Sequence, residues 1–340
     1  MPSRRETLAL FAGAASITAA LTKEAQAQQA KPAPVAAVPA APEMAMVSRH
    51  LQWTSADEGI EVAKAAGFAG IAWTVRGGAH VEVANVKKEL PRIVERTRKA
   101  GLSVPLIITN ISDANTPGIE DVLGTMQSLG IRRYRIGSQR YDWTKDFDPQ
   151  YAAFRARLDA LSKVNQRFDT VTMVHTHSRS QAIGGGAWDL WMSMRDMDPR
   201  YMGINFDIGH VTAKGGAGWR EALHAAHKHV HTLSVKDFVW QRVPNPQPGA
   251  WAWETDFVVP GQGMVDFAEV FKYLKSVEFR GPIETYFEYM SPVPGGGEMN
   301  MLGTDLGKWK LEIPKAQYAG YLKRDVDFYK AHMRTAGFAV

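Results

Sequence analysis

The 340-residue chain has no cysteine, which excludes disulfides, thiolate metal ligands and a cysteine nucleophile. That absence does not decide the compartment, because an exported protein can also dispense with cysteine. There is no run of charge of one sign either. The 40 Lys and Arg are interspersed with 35 Asp and Glu, so the formal charge of +5 reads as a solvated surface, not a nucleic-acid face. No stretch of the mature chain reads as a stable membrane span. No glycine-rich fingerprint follows the first apolar strand, which argues against a doubly wound dinucleotide fold.

What is present begins at the amino terminus. Ser3-Arg4-Arg5 precedes an apolar, small-residue run from Leu8 to Leu21, then Lys23 and the small-x-small sequence Ala25-Gln26-Ala27. These are the three parts of a signal peptide, predicted over 1–27. The paired arginines, modest hydrophobicity and late lysine resemble a twin-arginine signal, although Thr7 stands where Phe is common. An ordinary secretory signal or an uncleaved anchor are the alternatives. The twin-arginine reading implies the twin-arginine export machinery as a partner, a periplasmic mature protein, and export after folding. Residues 28–43, rich in Ala and Pro, read as an extended linker.

From Met44 to 340 the pattern is strand then helix, with short connections. Strands are predicted at 46–53, 70–75, 104–111, 132–137, 171–177, 203–208, 232–238 and 282–289. Tyr151, Phe154, Leu158 and Leu161 follow helical spacing, as do Tyr318, Leu322, Val326 and Tyr329. Eight strands alternating with helices predict an α/β chain folded as one (β/α)8 TIM barrel, a single domain after a cleaved signal peptide.

Strand alternation then assigns faces. Ile204, Phe206 and Ile208 share one face of strand six, so Asn205 and Asp207 share the other and look into the barrel. The same count turns His175 and His177 inward on strand five, Thr232, Ser234 and Lys236 on strand seven, and Glu284, Tyr286 and Glu288 on strand eight. Arg133 and Arg135 follow on strand four. Inward polar groups therefore gather at C-terminal strand ends, where barrel enzymes do chemistry.

Imidazoles and carboxylates converging from different strands suit a divalent ion such as Mn, Mg, Zn or Co. His175, Asp207, His210 and Glu288 are the candidate ligands; His177 and His210, at or beyond strand ends, can instead bind substrate. Lys236 is a candidate base or oxyanion holder, or is paired with a carboxylate such as Glu288. With His210 and Glu288 it makes up the candidate proton-moving set. Arg135 either grips a carboxylate or sugar hydroxyl or forms an ion pair with Glu284, which sits low on its strand and reads as structural. Asn110, ending strand three, is a further candidate for substrate. His80, on the loop Arg76-Gly77-Gly78-Ala79-His80, is placed to close over substrate. Trp251 and Trp253, in the insertion 241–260, either wall a sugar ring or pin that loop. His224, His227 and His229 are expected to face solvent, and His231 to begin a strand at the wrong end for chemistry.

These residues resemble the xylose isomerase-like barrel superfamily of sugar phosphate isomerases and epimerases, whose relatives include ketose 3-epimerases, inosose dehydratases and endonuclease IV. The resemblance runs from Met44 to about Met333 and is carried by Phe206-Asp207-Ile208-Gly209-His210, Ser234-Val235-Lys236-Asp237, the segment from Pro260 to Phe267, and Gly281-Pro282-Ile283. It implies a metal ligand at Asp207 and a substrate histidine at His210. The family's metal Glu at the end of strand five is here His175, and its metal His in strand seven is Ser234. The closing Glu of strand eight falls on Tyr286, with Glu288 two residues on. Either an ion is held by the rearranged set His175, Asp207, His210 and Glu288, or there is none.

The resulting expectation is an exported isomerase or epimerase moving a proton next to the carbonyl of a sugar, keto-sugar or cyclitol, with metal assistance. A keto-sugar lyase or hydratase on the same scaffold, and a non-catalytic sugar-binding barrel, are the alternatives. The expected partner is a small carbohydrate, not nucleic acid.

Overall fold

The computed structural model describes residues 41–244, 251–289 and 314–340. The strands are β1 (Met44–Val47), β2 (Gly70–Val75), β3 (Leu106–Thr109), β4 (Arg133–Arg135), β5 (Val171–His175), β6 (Met202–Asp207), β7 (Val230–Val235), β8 (Asp237–Pro244), β9 (Trp251–Val258) and β10 (Ile283–Thr285). Eight of them close a parallel barrel in the order β1-β10-β7-β6-β5-β4-β3-β2, while β8 and β9 pair as a separate antiparallel hairpin. The predicted (β/α)8 barrel is the observed fold.

The helices are α1 (Ala56–Ala65), α2 (Val86–Lys99), α3 (Ile119–Ser128), α4 (Phe147–Phe168), α5 (Trp188–Met194), α6 (Ile208–Gly215), α7 (Trp219–Ala226), α8 (Phe267–Ser276) and α9 (Lys315–Thr335). Phe154, Leu158 and Leu161 of α4, and Tyr318, Leu322, Val326 and Tyr329 of α9, are all buried, as their spacing required. α1 starts with a capping box in which Ser55 accepts from Glu58 N and Glu58 accepts from Ser55 N. No described helix is long and apolar enough to cross a membrane. The predictions for 1–27 and for nearly all of 28–43 lie outside the described residues.

Strand parity holds. Ile204 and Phe206 are fully buried in the main core between sheet and helices, whereas Val47, Ala72, Leu106, Ile108, Met173 and Tyr286 form a second apolar cluster. Fully burying each such side chain contributes roughly 1.5–3 kcal/mol.

Three expectations need correction. The first strand was placed at 46–53, but β1 ends at Val47 and a 3-10 turn follows over Ser48–Leu51. Ser48 Oγ takes the Thr74 N–H at 2.8 Å, so a side chain replaces the backbone ladder there. The seventh strand was extended to 238; the chain instead leaves the barrel after Val235, and Asp237 opens the hairpin. His229 does not face solvent. It is buried, with Nδ1 3.0 Å from Met202 O.

Candidate active site

A cavity of about 440 Å³ opens where the barrel strands end, and residues at or just past the ends of β1, β2, β3, β4, β5, β6 and β10 line it together with the end of β9 nearest the barrel. Its chemistry rests on one layer of hydrogen bonds beneath it. His175, Asn205, Thr232, Ser234 and Glu284 lie side by side across β5, β6, β7 and β10. Asn205 Nδ2 donates to Thr232 Oγ1 at 2.5 Å, Ser234 Oγ at 2.9 Å and Glu284 Oε2 at 3.2 Å. A carboxylate can only accept, so this orientation leaves Asn205 Oδ1 to accept from His175 Nδ1 at 2.5 Å. The His175 lone pair is thereby placed on Nε2.

His210 is fixed in the same sense from the other side. Lys236 Nζ lies 2.7 Å from His210 Nε2 and, being a donor only, assigns the lone pair to that nitrogen. Nδ1–H then donates to Ser178 Oγ at 2.8 Å. Asp207 closes the group. Its Oδ1 accepts from His210 N at 2.9 Å and so caps α6, which follows β6 without a loop. Its Oδ2 makes no directed hydrogen bond and lies 3.7 Å from His175 Nε2 and 3.2 Å from Lys236 Nζ. Gly209 permits this crowding, since a Cβ there would stand 2.8 Å from Lys236 Cγ and the Lys236 carbonyl.

Burial sets the charges. It drives His175 and His210 well below the ordinary histidine pKa, reinforced by Arg135 and Lys236 at the first and by Lys236 at the second, so both are neutral. Burial raises Asp207 to about 6, tempered by Lys236. Burial also works to raise Glu288, but the Lys236 charge and hydrogen bond, 2.6 Å from Oε2, overcome it and bring the carboxyl down to about 2. Burial, with Lys236 next, lowers His177 to about 3. The His177 ring stacks on His210 with centroids 4.1 Å apart.

His175, Asp207 and His210 offer ligand atoms that all lie within 4.8 Å of one another. Two neutral imidazoles with Nε2 lone pairs and one carboxylate oxygen without a hydrogen bond are a donor set that fits a divalent ion. The Lys236 ammonium meets the same lone pairs, so it and an ion compete for one place. Glu288 belongs to Lys236 in this geometry, not to the trio.

The remaining candidates divide. Asn110, Arg135 and His177 line the cavity. Arg135 donates from Nη1 to the Tyr286 hydroxyl, and the charges of Arg135 and Glu284 attract one another without direct contact of their side chains in ion-pair range. His80 is not among the lining residues: its Nε2 meets Thr54 O at 3.0 Å and its ring packs edge-on to Trp73. Trp251 and Trp253 are exposed on β9, Trp251 beneath the Arg242 guanidinium, and it is Thr255, Asp256 and Phe257 of that strand that reach the cavity. Arg49, Arg76, Ser178 and Tyr286 were not singled out as site residues in the sequence. Asn205 was turned inward by parity but given no role, and the pairing of β5 with β6 is what reveals it.

The fold and site can be set beside known proteins. Residues 60–299 match the family described as xylose isomerase-like TIM barrel. Among solved structures, D-psicose 3-epimerase from Clostridium cellulolyticum H10, seen with D-tagatose, superposes with a TM-score of 0.61 at 13% identity, covering 86% of this chain and 99% of that one. The 3-keto-D-glucoside 4-epimerase of E. coli superposes at 0.58 with 13% identity, covering 85% and 99%. The IolI protein with a bound zinc atom gives 0.58 at 12% identity, covering 88% and 100%. At such identities the likeness establishes a shared fold alone. No curated protein is similar to the chain by sequence. The family match spans well over half of the chain, which therefore belongs to the xylose isomerase-like TIM barrel family.

Proposed function

We propose that the protein is a carbohydrate isomerase or epimerase that moves a proton at the carbon next to a sugar carbonyl. The observation that carries this reading is the position of Lys236, buried under the cavity and in contact at once with His210 Nε2 at 2.7 Å, Glu288 Oε2 at 2.6 Å and Asp207 Oδ2 at 3.2 Å. The three candidate proton movers are thus one connected chain. The epimerases that share the fold support the same class of chemistry.

Removing a proton next to a carbonyl leaves negative charge on the carbonyl oxygen, and an ammonium held in a dry site by carboxylates stabilises that charge as it develops. Lys236 has this role, and can pass a proton to the oxygen while His210 Nε2 and Glu288 Oε2 hold its remaining donors. Glu288, an ionised carboxylate at the cavity wall, supplies the lone pair that accepts the carbon-bound proton, since His210 Nε2 already meets Lys236 and His177 Nδ1 accepts from Arg179 N at 3.1 Å. A divalent ion held by His175, Asp207 and His210 would supply Lewis-acid polarisation of that oxygen in place of the Lys236 ammonium. Burial of the polar layer beneath keeps these groups oriented and water-poor. The amino-terminal pattern supports a periplasmic address for the reaction.

Solvent exchange tests the step common to isomerase, epimerase and lyase. Incubation with keto-sugars in D2O is expected to introduce deuterium next to the carbonyl, followed by proton NMR, and Lys236→Met is expected to slow it by about 100-fold or more. Exchange that is absent across ketohexoses and 3-keto-glycosides, or that is indifferent to Lys236→Met, would sink the reading.

A further inference from the structure

Tyr286 crosses the barrel beneath the cavity. It stands one residue past β10, yet its hydroxyl is reached by Nη1 of Arg135 at the end of β4, and β4 and β10 face each other across the closed barrel. The ring is buried on the way, with its centroid 5.6 Å from the His50 ring, 5.8 Å from the His175 ring and 5.0 Å from Lys236 Nζ. Tyr286 and Arg135 both line the cavity, so this hydroxyl lies at its floor beside the ammonium.

A phenol at neutral pH carries one hydrogen and can also accept. Arg135 is a donor only and occupies the accepting side of the Tyr286 oxygen, which leaves the hydrogen to point elsewhere. That hydrogen meets no acceptor among the described residues. Lys236 is the opposite case. Its three N–H groups face His210 Nε2 at 2.7 Å, Glu288 Oε2 at 2.6 Å and Asp207 Oδ2 at 3.2 Å, so it offers charge at once but a hydrogen only after giving up a partner.

Resting on the carbohydrate reading above, we propose that Tyr286 is a catalytic residue whose O–H donates to the substrate oxygen on which negative charge develops. Glu288 takes the carbon-bound proton, the C–H pair becomes the new C=C bond, and the carbonyl π pair moves onto the oxygen that Tyr286 and Lys236 meet. Return of a proton to carbon reverses these shifts and leaves both donors as they began. Arg135 is a positioning residue: by donating to the phenol oxygen it aims the hydrogen and strengthens it as a donor, since linked hydrogen bonds polarise one another.

Tyr286→Phe keeps the ring against His50 and His175 and removes only the hydroxyl. Deuterium exchange into the keto-sugar that the unmodified protein exchanges fastest, followed against sugar concentration, is expected to lose about 100-fold or more in kcat with KM held, because the donor counts most as charge develops. Para-aminophenylalanine at 286 returns an N–H to the same place and should recover part of the rate. A loss carried by KM, or one that para-aminophenylalanine does not recover, makes the tyrosine a structural partner of Arg135 and overturns the inference. Exchange in Tyr286→Phe as fast as in the unmodified protein also overturns it, and slow exchange in Lys236→Met then leaves the carbohydrate reading standing. No exchange by the unmodified protein in any keto-sugar overturns both.

Discussion

Asn205 Oδ1 lies 2.5 Å from His175 Nδ1, and this contact decides which nitrogen of the histidine faces Asp207. The amide is itself oriented by Glu284, Ser234 and Thr232, so a residue that touches no substrate determines the tautomer of one that can hold an ion. Asn205→Leu should release His175, leave Ser234 Oγ as the donor to Glu284 Oε2 and lower stability by about 3 kcal/mol. Divalent affinity should fall about 10- to 100-fold. Ring nitrogen shifts of His175 by NMR, read beside the melting curve, check it; a tautomer that is unchanged in the variant contradicts the orientation argument.

Lys236 and a divalent ion compete for the lone pairs of His210 Nε2 and Asp207 Oδ2. Lys236→Met removes the competitor and leaves two carboxylates and two neutral imidazoles around the vacated space. Zinc or manganese should then bind at least about 10-fold more tightly, since a buried like charge of this kind is worth more than one pKa unit. Weaker binding in the variant would mean that the lysine supports the ion and does not oppose it.

Acid should destabilise the protein through His50. Burial lowers its folded pKa from 6.5 to about 3, against a partial opposing pull from Glu288, and its ring packs edge-on against Tyr286 and Phe287. The unfolded chain therefore binds the extra proton between about pH 6.5 and 3, and stability rises with pH across that window. Its contribution is complete above 6.5 and is lost on acidification, at roughly 1.4 kcal/mol per pH unit once well below 6.5. Melting temperatures between pH 4 and 7 should climb with pH, and the climb should be shallower in His50→Gln. An identical slope in the variant would assign the acid sensitivity elsewhere.

Parity alone carried the sequence a long way, because a strand has a period of two and one face of each barrel strand must be apolar to pack under helices. Ile204 and Phe206 therefore located Asn205 and Asp207, and by the same logic His175, Lys236 and Glu288 were turned inward. What parity does not supply is the neighbour. Asn205 becomes legible only when β6 is paired with β5 and β7, and β7 with β10, and alternation alone does not say that Glu288 meets the Lys236 ammonium. Arg49 and Arg76 were opaque for a different reason: each lies just past a strand, where alternation no longer applies and the 3-10 turn after β1 redirects the chain. His229 misled because helical spacing was carried past Ala226, where α7 ends and a 3-10 turn tucks the ring beneath β6.

The residue after Lys236 determines how firmly that lysine is held. Asp237 is buried, and its carboxylate accepts four backbone N–H groups: Phe238 at 3.0 Å and Val265 at 3.1 Å on Oδ1, Gly261 at 2.9 Å and Gly263 at 2.9 Å on Oδ2. This explains the glycine-rich segment from Pro260 to Phe267, where a Cβ on Gly263 would stand 2.2 Å from Asp237 Oδ1. Four donors converging on one carboxylate fasten the start of the hairpin to the segment that leads into α8. Asp237→Asn is the sharpest probe, because it keeps the shape and turns an NH2 against two N–H groups. It should lower stability by about 2–4 kcal/mol, and Gly263→Ala should do the same by expelling the carboxylate. Denaturant midpoints measure the loss, and hydrogen exchange should rise first at 261–265, the backbone released from Asp237. Protection that stays intact there while stability falls would place the weakness elsewhere in the barrel.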